Sequence, residues 1–324
     1  MRIVSLLPSA TEIVAALGAL DQLVGVSHAC DYPPQVARLP RLTRTHVDGT
    51  AAPDAIDRDV RAAAERGAPL YEVNEALLAS LRPDVIVTQA LCDVCAVRET
   101  DVRAMAVRLS PAPLIVTLSG TSIDGIIADI ERVAAAIEVP DEAEELIAGM
   151  RARLRSVHDR LGAAGAPRPR VAVLEWTDPV YTAGHWVPEM VHRAGGVDTL
   201  AAPGTHSRAV PTADVAAAAP DVLVFAPCGY DLPRATREAS RTLGDDAWSW
   251  ARERSAWALD ANALTSRPGP RVVDGVETMA SLLYPSLFGD PAADRATRVR
   301  GSGGGAKGRK AESPERTRIT RINR

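Results

Sequence analysis

The sequence predicts an α/β protein with two lobes, each a parallel sheet covered by helices, joined by one long helix. Short apolar runs alternate with helical patterns along residues 1–120, and the same alternation restarts along residues 169–290. Between the two series, residues 121–168 are almost entirely helical in pattern. Aromatic residues make up only 4% of the chain, which favours a core of aliphatic side chains between helices and parallel strands.

The first lobe, residues 1–120, opens with an aliphatic run at 3–7 that predicts a buried strand. Further strands are predicted at 23–27, 84–88 and 114–118. The letters SATE at 9–12 have the spacing of a capping box, so a helix is predicted from there to Gly18. Helices are also predicted at 54–66, at 74–81 with Asn74 as N-cap, and at about 96–109.

The linking segment, residues 121–168, contains predicted helices at 122–137 and 141–161. In the second of these, apolar side chains recur at three-to-four spacing and predict one buried stripe: Ala143, Leu146, Ile147, Met150, Leu154 and Val157. The second lobe, residues 169–290, is then predicted to contain strands at 171–176, 222–226 and 257–260. Its predicted helices lie at 187–194, 211–219, 232–243 and 271–283.

Residues 291–324 are predicted to form a disordered basic tail. They carry ten basic and three acidic residues, include the glycine-rich stretch 301–305, and lack apolar periodicity. Because the whole chain has a net charge of −4, the remaining body is clearly acidic, which disfavours nucleic acid as a partner.

The amino terminus and the cysteines predict a compartment. Met1 and Arg2 lead at once into the first predicted strand, without the features of a signal peptide, so the sequence predicts a cytoplasmic protein. A periplasmic or cell-surface location is the alternative if the true start of the protein lies upstream. Four cysteines in 324 residues do not form a disulfide framework and are expected to be thiols. The sequence has no apolar run long enough for a membrane span.

The candidate binding residues lie in loops that follow predicted strands. In open parallel sheets, ligands bind beyond the carboxyl ends of the strands. All four cysteines fall in such loops, together with aromatic and imidazole side chains. The predicted ligand-binding residues are His28, Cys30, Tyr32, Gln89, Cys92, Cys95, Trp176, Tyr181, His185, Trp186, Cys228, Tyr230, Asn262 and Arg267.

Four interpretations of this clustering compete. The thiols could simply fill gaps at strand ends. His28, Cys30, Cys92 and Cys95 could supply one imidazole and three thiolates to Zn²⁺. A redox pair at Cys92 and Cys95 is disfavoured by the carboxylate of Asp93 between them. A cleft for a large metal-containing ligand accounts for the aromatic, imidazole and thiol groups together.

Enzymatic motifs are scarce in this sequence. It has no phosphate-binding glycine loop after the first strand, no nucleophilic serine elbow and no His-Glu-x-x-His motif. Glu175, at a predicted strand end, could act as a general base, although such a carboxylate more often orients a loop. The sequence therefore predicts a binding protein that requires no cofactor. A cleft metalloenzyme (a chelatase or corrinoid-processing enzyme) and a zinc-stabilised scaffold are the alternatives.

Several motifs together resemble a known family. They are RIVSLLPSATE at 2–12, GVS at 25–27, DYPP at 31–34, LRPDVIV at 81–87, YTAG at 181–184, GG at 195–196 and APDVLV at 219–224. In order and spacing they resemble the vitamin B12-binding members of the iron-chelate and cobalamin substrate-binding proteins of ABC importers. The resemblance extends from residue 1 to about residue 288.

This resemblance implies the helical-backbone, class III substrate-binding fold, with two Rossmann-like lobes and a cobalamin or another metal chelate between them. It also implies a docking glutamate on each lobe for an ABC permease. Glu99 matches the first of these, whereas the second position holds Ala213 with Asp214 beside it. Together with the amino terminus, this departure favours a cytoplasmic relative that buffers, delivers or senses its ligand.

Overall fold

The computed structural model describes residues 1–90 and 96–300. Cys92 and Cys95 therefore lie outside the described residues, as do residues 301–324 of the predicted tail. None of the helices in the described ranges combines the length and apolar character needed to cross a membrane.

The first lobe is built around a parallel sheet. Its elements, in chain order, are β1 (Ile3–Ser5), α1 (Pro8–Ala16), β2 (Leu23–Val26), β3 (Thr43–Thr45), α2 (Pro53–Glu65), β4 (Tyr71–Val73), α3 (Glu75–Leu81), β5 (Val85–Gln89), α4 (Glu99–Ala106) and β6 (Leu114–Leu118). The four-stranded sheet has the order β2-β1-β5-β6, and all of its pairings are parallel. β3 and β4 form a separate antiparallel pair beside it.

Two helices, α5 (Ile123–Ala136) and α6 (Pro140–Ala164), connect the lobes. Ser122 caps α5 by accepting a hydrogen bond from the Gly125 N–H. α6 is 25 residues long, which corresponds to about 37 Å at about 1.5 Å per residue. It ends at Gly165, whose positive φ of 54° gives the left-handed conformation that terminates many helices.

The second lobe contains a mixed sheet with a parallel centre. Its elements are β7 (Arg170–Thr177), β8 (Val180–Thr182), α7 (Val187–Arg193), β9 (Val197–Asp198), α8 (Thr212–Ala217), β10 (Val222–Phe225), α9 (Leu232–Gly244), β11 (Ser255–Leu259), α10 (Ala261–Leu264), α11 (Val272–Leu283), α12 (Pro285–Phe288) and β12 (Ala296–Val299). The order is β12-β11-β10-β7-β8, with β9 also paired to β7. β7, β10 and β11 are parallel, whereas β8 and β12 are antiparallel to their neighbours.

The largest hydrophobic cluster belongs to both lobes. It includes Ile13 of α1, Ile130 of α5, Met150 of α6 and Val276 of α11. α6 packs against α5 on one side and against α11 and α7 of the second lobe on the other. The predicted apolar stripe of α6 faces this cluster, with Leu146 partly buried and the other five side chains buried. The long helix is therefore part of the core that the lobes share.

This architecture confirms the predicted fold class. Each predicted strand and helix is present in the described ranges, with ends that differ by a few residues; the helix predicted at 96–109 is shorter and spans Glu99–Ala106. The short strands β3, β4, β8 and β9 were not predicted, because two to three residues are too few to show a period.

The predicted capping box at 9–12 is wrong. Leu7 is the N-cap of α1, Pro8 occupies the first turn, and no side chain caps the helix. Ser9 and Glu12 are both buried inside α1. Proline at the helix start fixes φ near its helical value and has no N–H to satisfy, so the helix begins without a capping side chain.

The predicted disordered tail is wrong for its first part. β12 pairs antiparallel with β11, and its Ala296 and Val299 side chains are 4% and 5% exposed. The segment ATRV at 296–299 places two polar residues between two apolar ones and so shows no strand period, which is why the sequence did not reveal this strand in a basic segment.

Candidate functional site

Loops that follow parallel strands of the two lobes contact each other directly. In each sheet the parallel strands end at one edge, which is where ligands bind in open α/β sheets. Among the residues that the structure describes, side chains of one lobe hydrogen-bond to the other lobe in two places, which we call the buried cross-lobe cluster and the outer cross-lobe cluster.

The buried cross-lobe cluster is centred on Glu12 of α1 and two arginines near α11. Arg267 Nη1 donates to Glu12 Oε1 at 2.8 Å, and Arg271 Nε donates to Glu12 Oε2 at 2.8 Å. The side chains of Glu12 and Arg267 are only 2% and 5% exposed. Charges this deeply buried need partners, since burying one alone costs several kcal/mol. Here the carboxylate of Glu12 and the two guanidinium groups are partners in hydrogen-bonded ion pairs.

Residues after β2 and β11 complete this cluster. Arg267 Nη1 also donates to Asp31 Oδ1 at 2.6 Å, and Asn262 Nδ2 donates to Asp31 Oδ2 at 3.0 Å. Burial alone would raise the pKa of Asp31, but the hydrogen bond and positive charge of Arg267 outweigh it and lower that pKa. The Tyr32 ring lies 4.1 Å from the Arg271 guanidinium, a cation–π contact between the lobes.

The outer cross-lobe cluster connects α2 and its preceding loop to the β7–β8 hairpin and α9. Trp176 Nε1 donates to the Pro53 carbonyl at 3.2 Å. The Tyr181 hydroxyl donates to Asp57 Oδ1 at 3.2 Å and accepts from Arg61 Nη2 at 2.9 Å. These groups are partly exposed, with the Arg61 side chain 55% exposed.

Arg234, near the start of α9, belongs to the same outer cluster. Its Nη2 donates to the Ala51 carbonyl at 2.8 Å and to the Tyr230 hydroxyl at 2.9 Å, and its Nη1 donates to the Gly49 carbonyl. Its guanidinium lies 3.7 Å from the centre of the Tyr230 ring. Tyr230 in turn contacts Trp176 edge to face at 5.3 Å. Two aromatic rings and one cation thus line the second-lobe side of this contact.

Of the predicted binding residues, Tyr32, Trp176, Tyr181, Tyr230, Asn262 and Arg267 lie in the two cross-lobe clusters. Tyr230 is 3% exposed, so most of its ring is packed in the lobe rather than open to a ligand. Gln89, at the end of β5, is likewise buried. Cys228 is exposed, and its backbone N–H donates to the Glu175 carbonyl at 2.9 Å.

His28 and Cys30 lie in the same loop but contact different partners. His28 Nδ1 is 2.7 Å from Thr43 Oγ1, and the His28 ring lies tilted against Tyr71 with their centroids 5.7 Å apart. Its partial burial, and then the charge of Arg41, lower the pKa of His28. The Cys30 thiol is 1% exposed, close to Thr11, and its burial raises its pKa.

The zinc site predicted at His28, Cys30, Cys92 and Cys95 stays a prediction, because both members of the Cys92–Cys95 pair fall outside the described residues. Within residues 1–90 and 96–300, no three His, Cys, Asp or Glu side chains are grouped as metal ligands would be.

Trp186 and His185 lie away from the position predicted for them. β8 turns back along β7, with Thr182 opposite Leu174, so residues 183–186 do not lie beyond the carboxyl end of β7. Trp186 is 8% exposed in the shared core, where its Nε1 donates to the Thr265 carbonyl at 3.0 Å. The prediction that Trp186 lies in a loop beyond the carboxyl end of a strand is therefore wrong.

Glu99, the predicted docking residue, is the first residue of α4. Its Oε1 accepts hydrogen bonds from Thr117 Oγ1 at 2.8 Å and Arg103 Nε at 2.8 Å, and these two partners lower its pKa. The side chain stays 27% exposed. In the second lobe, Ala213 and Asp214 are exposed in the first turn of α8.

Several cross-lobe residues were missed in the sequence, namely Glu12, Asp57, Arg61, Arg234 and Arg271. For Glu12 a signal existed, since it is the only charged residue of α1 and a buried charge requires a partner. Its partners follow 255 and 259 residues later, and no local pattern connects positions so far apart.

Two surface cavities lie away from the cross-lobe clusters. One of about 410 Å³ is enclosed by α2 and by loop residues such as His46 and Pro69 of the first lobe. The other, of about 270 Å³, lies between α6 and the end of the second lobe, lined by Arg160 and Phe288. Neither touches the predicted ligand-binding residues.

The chain is similar in sequence and in fold to known proteins. A family model described as periplasmic binding protein matches residues 3–249. The vitamin B12-binding protein of Vibrio cholerae is 26% identical over 288 residues, covering 87% of this chain and 88% of the relative.

Among solved structures, a periplasmic vitamin B12-binding protein of Vibrio cholerae has a TM-score of 0.61 and 25% identity, covering 87% of this chain and 96% of its own. A periplasmic heme-binding protein of Pseudomonas aeruginosa has a TM-score of 0.68 and 21% identity, covering 94% of this chain and 99% of its own. The cytoplasmic location predicted above is wrong in the light of these matches, because the matched family and both structures are periplasmic.

Proposed function

The chain belongs to the periplasmic binding protein family, and from this premise we propose that it holds a corrinoid, or another metal chelate, between its two lobes. In this proposal it is a non-enzymatic substrate-binding protein that hands its ligand to an ABC importer. A sequence relative that covers 87% of the chain is named for vitamin B12, which makes a corrinoid the first ligand to test.

The observation that carries the proposal is the convergence of aromatic and cationic side chains between the lobes. Trp176 contributes a partly exposed aromatic ring from the second lobe, supported edge to face by the buried Tyr230, and Arg234 adds a positive charge beside them. Large, flat ligands bind through such faces, with a few polar groups fixing their orientation. Arginines also pair well with the carboxylate and phosphate groups that large metal chelates carry.

The two cross-lobe clusters suggest the side by which a ligand enters. The buried cluster around Glu12 and Arg267 excludes water, so separating these charges is costly. The outer cluster rests on partly exposed contacts of Arg61, Trp176 and Tyr181, which are cheaper to exchange for water. We therefore expect the lobes to part at the outer cluster and to stay joined at the buried one.

The test is a titration of the purified chain with aquocobalamin, cobinamide and haem, followed by absorption spectroscopy and calorimetry. We expect one equivalent of a corrinoid to bind. The ligand, released by denaturation and identified by mass spectrometry, should be recovered unchanged after prolonged incubation. Chemical change in the ligand would instead support the cleft metalloenzyme. Failure of all three chelates to bind would refute the proposal.

For delivery, we propose that Glu99 and Asp214 contact the permease, one from each lobe. Both are acidic side chains at the start of a helix, on α4 and α8. Replacing each with Ala should leave corrinoid affinity unchanged and reduce uptake in a reconstituted importer. Replacing the exposed Asp290 with Ala serves as the matched control. Unchanged uptake in the Glu99→Ala, Asp214→Ala double variant would contradict this docking.

A further inference from the structure

Two histidines of the second lobe, His185 and His206, form a close pair that the proposed function does not use. His185 Nε2 and His206 Nδ1 are 3.1 Å apart. The two rings are nearly perpendicular, with centroids 4.9 Å apart and an interplanar angle of 89°. His206 is exposed and His185 is partly buried, so the pair is open to solvent on one side.

The backbone holds the two rings together. The His185 N–H donates to the Thr205 carbonyl at 2.6 Å, and the Gly204 N–H donates to the His185 carbonyl at 2.8 Å. A Cβ on Gly184 would lie 2.4 Å from Ser207 N and 2.9 Å from the carbonyl carbon of His206, so only glycine allows the two loops to approach this closely.

His185 itself has a φ of 54°, in the left-handed region that side chains other than glycine rarely adopt. Such conformations cost of order 1 kcal/mol or more and concentrate at functional sites. The fold therefore accepts strain at the position that brings this imidazole against its partner.

We propose that His185 and His206 are the two protein ligands of a divalent transition-metal site on the second lobe. Bonds from imidazole nitrogen to such ions are about 2.0–2.1 Å long, so nitrogens separated as here subtend an angle of about 100° at a shared ion. This value lies between the ideal octahedral and tetrahedral angles. Imidazole suits Zn²⁺, Ni²⁺ and Cu²⁺.

The protonation of the pair agrees with this role. In the absence of an ion, one ring nitrogen carries a proton and donates a hydrogen bond to the other. An ion bound by both nitrogens would replace that proton.

The geometry also selects the form of the metal. The described residues hold no third His, Cys, Asp or Glu grouped with the pair, so water or a chelator must fill the remaining positions. Two adjacent imidazoles cannot both bind a metal in a planar macrocycle, whose open positions lie on opposite faces. The site is thus suited to a hydrated ion or an ion in an open chelator.

The experiment is a calorimetric titration of the full chain with Ni²⁺ at pH 7.5, repeated on His185→Ala, His206→Ala, His206→Gln and His158→Ala. His158 is exposed on α6 and serves as the matched control. We expect one equivalent of Ni²⁺ to bind the parent and His158→Ala. Each substitution at the pair should weaken that affinity at least about tenfold.

His206→Gln separates a metal site from a purely structural hydrogen bond, because the amide can still bond to His185 but is a poor ligand. Loss of Ni²⁺ with a melting temperature near that of the parent supports the proposal. Equal Ni²⁺ affinity in His206→Gln and the parent overturns it. So does loss of Ni²⁺ in a Cys92→Ser, Cys95→Ser variant but not in the histidine variants, which would place the metal on the thiols. Corrinoid titration of the same variants shows whether the cleft still functions.

Discussion

Glu12 and Arg267, which are 255 residues apart in the sequence, form an ion pair at 2.8 Å that joins the two lobes. The glutamate lies on the first helix of the first lobe and the arginine lies between α10 and α11 of the second. Both side chains are buried, Arg267 also donates to Asp31, and Glu12 also accepts from Arg271, so the pair behaves as part of one polar network rather than as a surface salt bridge.

Glu12→Gln should destabilise the protein strongly, because it leaves buried positive charge without its main counter-charge. We expect the free energy of unfolding in urea to fall by about 3 kcal/mol. Glu72→Gln is the control, since Glu72 pairs with Arg44 on the surface, where the side chains are 50% and 70% exposed. That change should cost less than about 1 kcal/mol. Equal losses in the two variants would contradict the buried network.

Truncation after Asp290 should lower stability, whereas truncation after Arg300 should not. The first removes β12 and exposes both β11 and the apolar surface under Val299, a loss of about 2–4 kcal/mol. The second keeps β12. Thermal melts of the two truncated proteins beside the full chain measure the difference, and identical melting temperatures would show that β12 contributes little.

Trp176 and Trp186 should respond differently to replacement by alanine. Trp176 lies in the outer cross-lobe cluster and is only partly buried against the second-lobe core, so its loss should weaken corrinoid binding by a factor of about ten or more and cost less stability than loss of Trp186. Trp186 is buried in the shared core, so its loss should cost about 3–5 kcal/mol of stability. Spectroscopic titration and urea denaturation of both variants test the two roles, and reversed effects would show that the roles are exchanged.

Asp198 should make stability fall as the pH rises. Its Oδ1 accepts hydrogen bonds from the Leu200 and Ala201 N–H groups, but burial raises its pKa from 3.8 to about 6. Its Oδ2 has no hydrogen-bond partner among the described residues. Between these two pKa values the folded state binds more protons than the unfolded state. The contribution of Asp198 to stability is therefore lost as the pH rises through this window.

Asp198→Asn should remove this dependence while keeping an acceptor for both N–H groups. We expect the variant to be more stable than the parent by on the order of 1–3 kcal/mol at pH 8, and the advantage to shrink toward pH 5. Urea denaturation at several pH values measures this, with the exposed Asp290→Asn variant as control. A constant difference across the pH range would show that Asp198 does not titrate in this window.

Local patterns in the sequence predict the helices and strands of this fold, but they do not predict which residues contact each other across the cleft. The apolar run at 114–118 and the periodicity of α6 depend only on neighbouring residues, so both were predicted closely. The pairing of His185 with His206 depends on where the β8 hairpin returns, and no residue pattern specifies that return. Trp186 was misplaced for the same reason.

The core that both lobes and α6 share has a thermodynamic consequence. Two domains with separate cores unfold in separate steps, but here residues such as Ile130 and Val276 belong to one continuous apolar cluster. Unfolding either lobe would expose apolar surface of the other, so neither lobe is expected to unfold on its own. Differential scanning calorimetry should therefore show a single cooperative transition, with a van't Hoff enthalpy equal to the calorimetric one.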